Sequence, residues 1–135
     1  IPNPMEEVGN EQDFEAMGVH MVAPADGENK QFFIINGEVA EISFSENGVS
    51  YCYRASNTAE DFAGIFERFK DDILVVSWKS GDAAGEAQVK TTESGGRLAF
   101  WSWGSTGYTL YTASDISDED CTNIVTNLME LSYHE

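Results

Sequence analysis

The sequence predicts an α+β fold: a single twisted antiparallel sheet of about six to seven strands, with a short N-terminal helix and a C-terminal amphipathic helix packed on it. Two dipeptides, Asn36-Gly37 and Asn47-Gly48, each separate two runs rich in β-branched and aromatic residues, which is typical of β-hairpins. Further strand-like runs follow between residues 72 and 113. Apolar residues at helical spacing after residue 117 predict the last helix.

The chain of 135 residues has the length of one domain. Residues 1–11 hold two prolines and little apolar content, so we predict a tether or extended lead-in there and a single domain over 12–135. In EQDFEAMG, Phe14 and Met17 are spaced for one helix face and Gly18 is a stop signal, which predicts a short helix. The following VHMVAP alternates and is predicted to be extended.

Residues 31–55 predict a three-stranded meander. Two-residue turns would place three pairs on one side of the sheet, namely Phe33–Ala40, Phe44–Tyr51 and Ile42–Tyr53. On the opposite side Glu41 meets Arg54, and this pairing of opposite charges supports the register. It gives Arg54 the role of a cross-strand partner rather than of an anion-binding residue.

The segment after this meander has a mixed pattern. Thr58 and Asp61 resemble a capping box, and several apolar residues follow at helical spacing. Gly64 interrupts the helical pattern, however. We predict a short helical turn at 59–63 and a strand at 65–70, with a continued helix as the alternative.

The C-terminal half predicts two hairpins and a helix. DILVVSWK pairs with GEAQVKTT, and RLAFWSW pairs with YTLYTA. The helix is predicted at 117–131, because Ser117 fits an N-cap and Asp120 fits the reciprocal carboxylate of a capping box. Its apolar stripe consists of Cys121, Ile124, Val125 and Leu128.

Aromatic residues surround the last predicted turn, in AFWSWGSTGYTLY. With Gly104 to Gly107 as a four-residue turn, Trp103 lies opposite Tyr108 and Trp101 opposite Leu110, while Phe100 and Tyr111 lie on the other face. Both faces are then apolar, so either both are covered or one carries an exposed patch. We assign Trp101 to the core. Trp103 and Tyr108, at the tip, are the candidate partner-binding residues, for an unknown protein or a glycan.

The chain is strongly acidic, with 24 Asp and Glu against 7 Lys and Arg and a net charge of −17. This charge disfavours nucleic acids and anionic membranes as partners, and no apolar run is long enough for a membrane span. Acidity also fits an extracytoplasmic protein. Because the sequence starts with Ile1 rather than Met, we expect a trimmed or mature chain, secreted or anchored through a segment upstream of Ile1.

The sequence contains no catalytic or metal-binding motif, and we expect no cofactor. His20 is the only interior histidine, and no nucleophile motif accompanies it. The acids at 115–120 lack the glycine and the distal glutamate of a calcium loop, and they fit the first turn of a helix instead. Cys52 and Cys121 are predicted to be separate thiols, the first on the face of Arg54.

Several segments together resemble a family: NPMEEV, EQDFEAMGVHMVAP, YCYRAS, AEDFAGIF, AFW and GYTLYTASDISDEDCTNIV. They look like uncharacterised extracytoplasmic domains of lipoproteins and of anti-sigma-factor-like, membrane-anchored regulators in Gram-positive gut bacteria. The resemblance implies a secreted or anchored α+β domain and carries no catalytic residue. The residues that fit the family's pattern are Ala99, Trp101, Tyr108, Ser117 and Glu119. Trp103 departs from it, since a polar residue is usual there.

These observations predict a monomeric, non-enzymatic binding or regulatory module outside the cytoplasm. The alternatives are a hydrolase whose site is built from dispersed carboxylates and a structural spacer domain. A deep pocket lined by two carboxylates, at least one of them with a raised pKa, would favour the hydrolase, whereas a shallow apolar patch would favour binding.

Overall fold

The computed structural model describes residues 5–58, 62–65 and 67–134. Its strands are β1 (Met5–Val8), β2 (Glu28–Ile35), β3 (Val39–Glu46), β4 (Val49–Ser56), β5 (Phe69–Ser80), β6 (Ala83–Thr92), β7 (Arg97–Trp103) and β8 (Thr106–Thr112). Its helices are α1 (Gln12–Glu15) and α2 (Asp118–Ser132). Within these described residues the strands form one antiparallel sheet in the order β1-β2-β3-β4-β8-β7-β6-β5.

The sheet consists of two four-stranded meanders that are joined where β4 pairs with β8. Because β5 lies at the far edge of the sheet, the chain has to pass β8, β7 and β6 between β4 and β5. We call the described residues of this connection, 57–58, 62–65 and 67–68, the crossover segment, and the sheet face on which they lie the crossover face. Helix α2 packs on the opposite face, which we call the helix face.

The core lies between the sheet on one side and α2 and the segment with Phe14, Val19 and Met21 on the other. Tyr53 stacks on Trp101 and Tyr108, with ring centroids 5.9 and 6.2 Å apart, and these two rings stack on each other at 5.6 Å. The predicted stripe of α2 is confirmed, because Cys121, Ile124, Val125 and Leu128 are all buried. The Ser117 cap is confirmed as well, since its hydroxyl accepts a hydrogen bond from the backbone N–H of Asp120 at 3.1 Å.

The predicted fold class is wrong. The described chain is a mainly-β fold of eight strands with two short helices, rather than an α+β fold of six to seven strands. Residues 5–8, part of the predicted lead-in, form the edge strand β1 through backbone pairing with β2. Their sequence, MEEV, contains none of the apolar alternation that predicts a strand. The segment VHMVAP forms no strand, although its alternate residues Val19, Met21 and Ala23 are buried.

The predicted strand at 65–70 is wrong for most of its described residues. Of residues 65 and 67–70, only 69–70 are in a strand, β5, and residue 66 falls outside the described residues. Residues 62–63 of the predicted helical turn lie in a turn, and residues 59–61 fall outside the described residues.

The register between β3 and β4 is confirmed, including the pairs Phe44–Tyr51, Ile42–Tyr53 and Glu41–Arg54. The register of the first hairpin is wrong by one residue. Its loop includes Glu38 as well as Asn36-Gly37, so Phe33 pairs with Glu41 instead of Ala40. Because neighbouring residues of a strand point to opposite faces, Phe33 lies on the crossover face.

Candidate functional site

Trp103 and Tyr108, the two residues predicted to bind a partner, are buried on the helix face. Their exposed fractions are 7% and 1%. The indole N–H of Trp103 donates to the Met129 carbonyl and to the Ser132 hydroxyl, both at 3.1 Å. The Tyr108 hydroxyl donates to the His20 carbonyl at 2.6 Å. The prediction that these side chains are exposed is wrong, so Trp103 and Tyr108 do not form an exposed partner-binding patch.

The error comes from the turn between β7 and β8. The loop contains only Gly104 and Ser105, so Trp103 pairs with Thr106 and Trp101 with Tyr108. A shift of two residues keeps each side chain on its predicted face but moves Tyr108 away from the tip. Gly85 on β6 provides the space for the Trp103 ring, because a Cβ at this position would overlap the ring.

The crossover face carries a different candidate site. Between the crossover segment and strands β6 to β8 lies a cleft of about 400 Å³, which we call the crossover cleft. Its walls are mainly apolar and include Phe62, Ile65, Phe69, Leu98 and Phe100, together with Lys90 and Thr109. This volume and this lining are typical of small-molecule sites, which are largely apolar with a few placed polar groups.

The middle of the crossover segment is held by Arg54. Its Nε donates to the Glu41 carboxylate at 2.8 Å, while its Nη1 donates to the carbonyls of Phe62 and Ala63 at 3.0 and 3.3 Å. Gly64 makes this approach feasible, because a Cβ there would lie 2.7 Å from Nη1 and its φ is +72°. Arg54 is therefore both the predicted cross-strand partner of Glu41 and the anchor of the segment above the cleft.

The C-terminal end of the crossover segment is held by Glu67. Its carboxylate accepts hydrogen bonds from the Tyr111 hydroxyl at 2.6 Å and from the Ser94 hydroxyl at 3.0 Å. The bond from Tyr111, followed by that from Ser94, lowers the pKa of Glu67. The same bond is the main cause that raises the pKa of Tyr111 to about 12. The backbone N–H of Glu93 also donates to the Arg68 carbonyl at 2.9 Å.

Lys90 contributes the positive charge of the cleft. Its Nζ lies 5.5 Å from the ring centroids of both Phe69 and Phe100, which is cation–π distance. Its strand neighbours, Ile73 and Leu98, are apolar. No carboxylate within the described parts of the chain forms an ion pair with this ammonium group.

The sequence did not predict the crossover cleft, but Phe100 was a sign of it. Phe100 makes the second face of the last hairpin apolar, and an apolar face is usually covered. In the structure both faces of this hairpin are covered, one by α2 and the other partly by the crossover segment.

Other chemistries have little support in the described residues. His20 is exposed, and its ring contacts that of His134 edge-on, with centroids 5.8 Å apart. No group of three or more His, Cys, Asp or Glu side chains is arranged there to hold a metal ion. None of the described helices is long and apolar enough to cross a membrane.

A comparison with protein-family models, with curated proteins and with solved structures finds no match to the chain. The resemblance to extracytoplasmic domains of Gram-positive gut bacteria therefore stays a prediction. The function of the crossover cleft is therefore inferred from its lining residues and their contacts.

Alkaline pH is expected to destabilise the fold through Cys52. Both cysteines are free; Cys121 is buried in α2, and Cys52 shares the crossover face with Arg54, as predicted. The Cys52 thiol donates to Glu41 Oε1 at 3.2 Å, and burial, followed by the charge of Glu41, raises its pKa from 9.0 to about 12. Above pH 9 the unfolded chain releases this proton while the folded chain keeps it. Stability is thus lost between pH 9 and 12, by at most about 1.4 kcal/mol per pH unit from this group.

Cys52→Ser is the matched variant, since a hydroxyl can still donate to Glu41 but does not titrate in this range. We expect a smaller fall in melting temperature between pH 8.5 and 10.5 for Cys52→Ser than for the wild type. Part of the fall will remain, because Tyr51 and Tyr111 also have pKa values raised to about 12. Equal falls in both proteins would contradict a buried, neutral thiol.

Proposed function

We propose that this protein is a non-enzymatic binding module that takes up a small, largely apolar ligand in the crossover cleft. The observation that carries the proposal is the cleft itself, with apolar walls on the sheet and on a segment that is anchored at its middle and at its C-terminal end. We also propose an extracytoplasmic location, which the acidity of the chain and the family resemblance support.

A hydrolase is less well supported. Among the described residues that line the crossover cleft, none is a carboxylate. A smaller cleft of about 330 Å³ does include Asp72, Asp115 and Asp118. However, Asp118 is 73% exposed and pairs with Arg97 at 2.6 Å, which suits the first turn of α2 rather than acid–base catalysis. That the protein is not an enzyme stays a prediction.

Filling the cleft should weaken binding of an uncharged apolar probe. Thr109 lies on β8 and lines the cleft, so Thr109→Phe adds a ring where the ligand would sit. Titration with N-phenyl-1-naphthylamine, whose fluorescence rises in apolar surroundings, is expected to give saturable binding to the wild type. We expect Thr109→Phe to weaken it at least tenfold, about 1.4 kcal/mol.

Thr109→Val is the matched control, because valine has nearly the volume of threonine and the same branched shape. It should bind the probe as the wild type does. The proposal fails if the wild type does not bind the probe saturably, or if Thr109→Phe binds it as tightly as Thr109→Val while keeping a wild-type circular dichroism spectrum.

A further inference from the structure

We propose that the ligand is an amphipathic organic anion whose charged group pairs with Lys90 while its apolar part occupies the crossover cleft. This inference rests on the proposed function and specifies its ligand class. It begins from the surroundings of Lys90, which place an ammonium group between two phenylalanine rings at the cleft wall.

Charge complementarity supports this choice. The chain has 24 acidic residues, yet none of those described forms an ion pair with Lys90. Arg54 and Arg97, by contrast, each have a carboxylate partner at 2.8 and 2.6 Å. An anion from outside would find at Lys90 a half-buried cation that no described carboxylate pairs with, next to the rings of Phe69 and Phe100.

The size of the cleft limits the apolar part. At about 30 Å³ per non-hydrogen atom, the volume that a water molecule occupies in the liquid, the 400 Å³ cleft encloses on the order of a dozen such atoms, so a larger probe is enclosed only in part. The single ammonium favours a monoanion, because a dianionic phosphate is usually bound by several donors or an arginine fork. An aromatic or medium-chain carboxylate has this size and charge.

The net charge of −17 means that the proposed preference for an anionic ligand runs against the overall charge of the protein. Long-range electrostatics around such a protein favour cationic ligands over anionic ones. A preference for the anion therefore has to come from a local positive group. In competition for the N-phenyl-1-naphthylamine site, decanoate is expected to displace the probe at a concentration at least tenfold lower than decyltrimethylammonium, which has the same tail.

Two matched probes isolate the role of Lys90. 1-Anilinonaphthalene-8-sulfonate has the skeleton of N-phenyl-1-naphthylamine with one added anionic group. In Lys90→Met, the affinity for the sulfonate should fall about five- to tenfold relative to the affinity for the neutral probe, as expected for a partly buried ion pair. Lys90→Arg should restore the ratio. Lys79→Met changes the net charge equally, but at an exposed site that does not line the cleft, and should leave the ratio unchanged.

The outcomes separate this inference from the proposed function. If neutral probe binding is lost in Thr109→Phe but the probe ratio is the same in Lys90→Met and the wild type, the cleft binds ligands and the anion assignment is wrong. Preference for decyltrimethylammonium over decanoate would overturn the assignment too. If the neutral probe does not bind the wild type at all, the proposed function itself fails.

Discussion

Replacement of Trp103 by alanine is expected to reduce the free energy of unfolding by about 3–5 kcal/mol, the usual cost of removing a large buried aromatic side chain. The Trp103 ring is 93% buried and packs edge-on against Trp78 and Tyr133, with centroids 5.4 and 5.1 Å apart. Its N–H also connects β7 to the last turn of α2. Chemical denaturation of wild type and variant measures the loss.

Gly85→Ala tests the same contact from β6. The added Cβ would overlap the Trp103 ring, so we expect a loss of about 1–3 kcal/mol, the usual cost of overpacking a core. In the Trp103→Ala background the ring is absent, and Gly85→Ala should then cost much less, which a double-mutant cycle records as coupling.

Ser102→Ala is the matched control, because Ser102 neighbours Trp103 on β7 but is exposed. It should change stability by less than about 0.5 kcal/mol. If Trp103→Ala is as stable as Ser102→Ala, then Trp103 is not part of the core, and its role as a surface binding residue has to be considered again.

The sequence predicted local geometry well where a short motif allows only one turn or cap conformation. Asn47 and Gly48 have φ values of 52° and 78°, as a two-residue turn of this kind requires, and the β3–β4 register follows from it. Asn36 and Gly37 adopt the same conformation, with φ values of 54° and 69°. The loop nevertheless takes in one more residue, Glu38, and nothing in the dipeptide distinguishes the two cases.

The candidate site could not be predicted in the same way, because it depends on contacts distant in sequence. Lys90 and Phe100 share a face only once the β6–β7 register is known, which pairs Lys90 with Leu98. Phe62 lines the same cleft as Lys90 and Phe100 because the chain passes three strands between β4 and β5. The path of this irregular segment is fixed by Arg54, whose sequence pattern indicated only its partner across the strands, Glu41.

Replacement of Arg54 by methionine is expected to cost about 3–5 kcal/mol, as is usual when one partner of a buried ion pair is removed. The Glu41 side chain is only 7% exposed, so its carboxylate would remain buried without its cation. The carbonyls of Phe62 and Ala63 would lose their donor as well. Arg68→Met removes an exposed arginine from the same crossover segment and should change stability by less than about 0.5 kcal/mol.

The double variant Arg54→Met/Glu41→Leu separates the two roles of Arg54. It removes both charges, so most of the lost stability should return, since apolar replacements of a buried pair are often neutral. The crossover segment still lacks its anchor, however, because methionine cannot donate to the Phe62 and Ala63 carbonyls. We therefore expect a stable protein that binds N-phenyl-1-naphthylamine at least fivefold more weakly than the wild type. If stability and probe binding recover together, Arg54 only neutralises Glu41, and the cleft keeps its shape without that anchor.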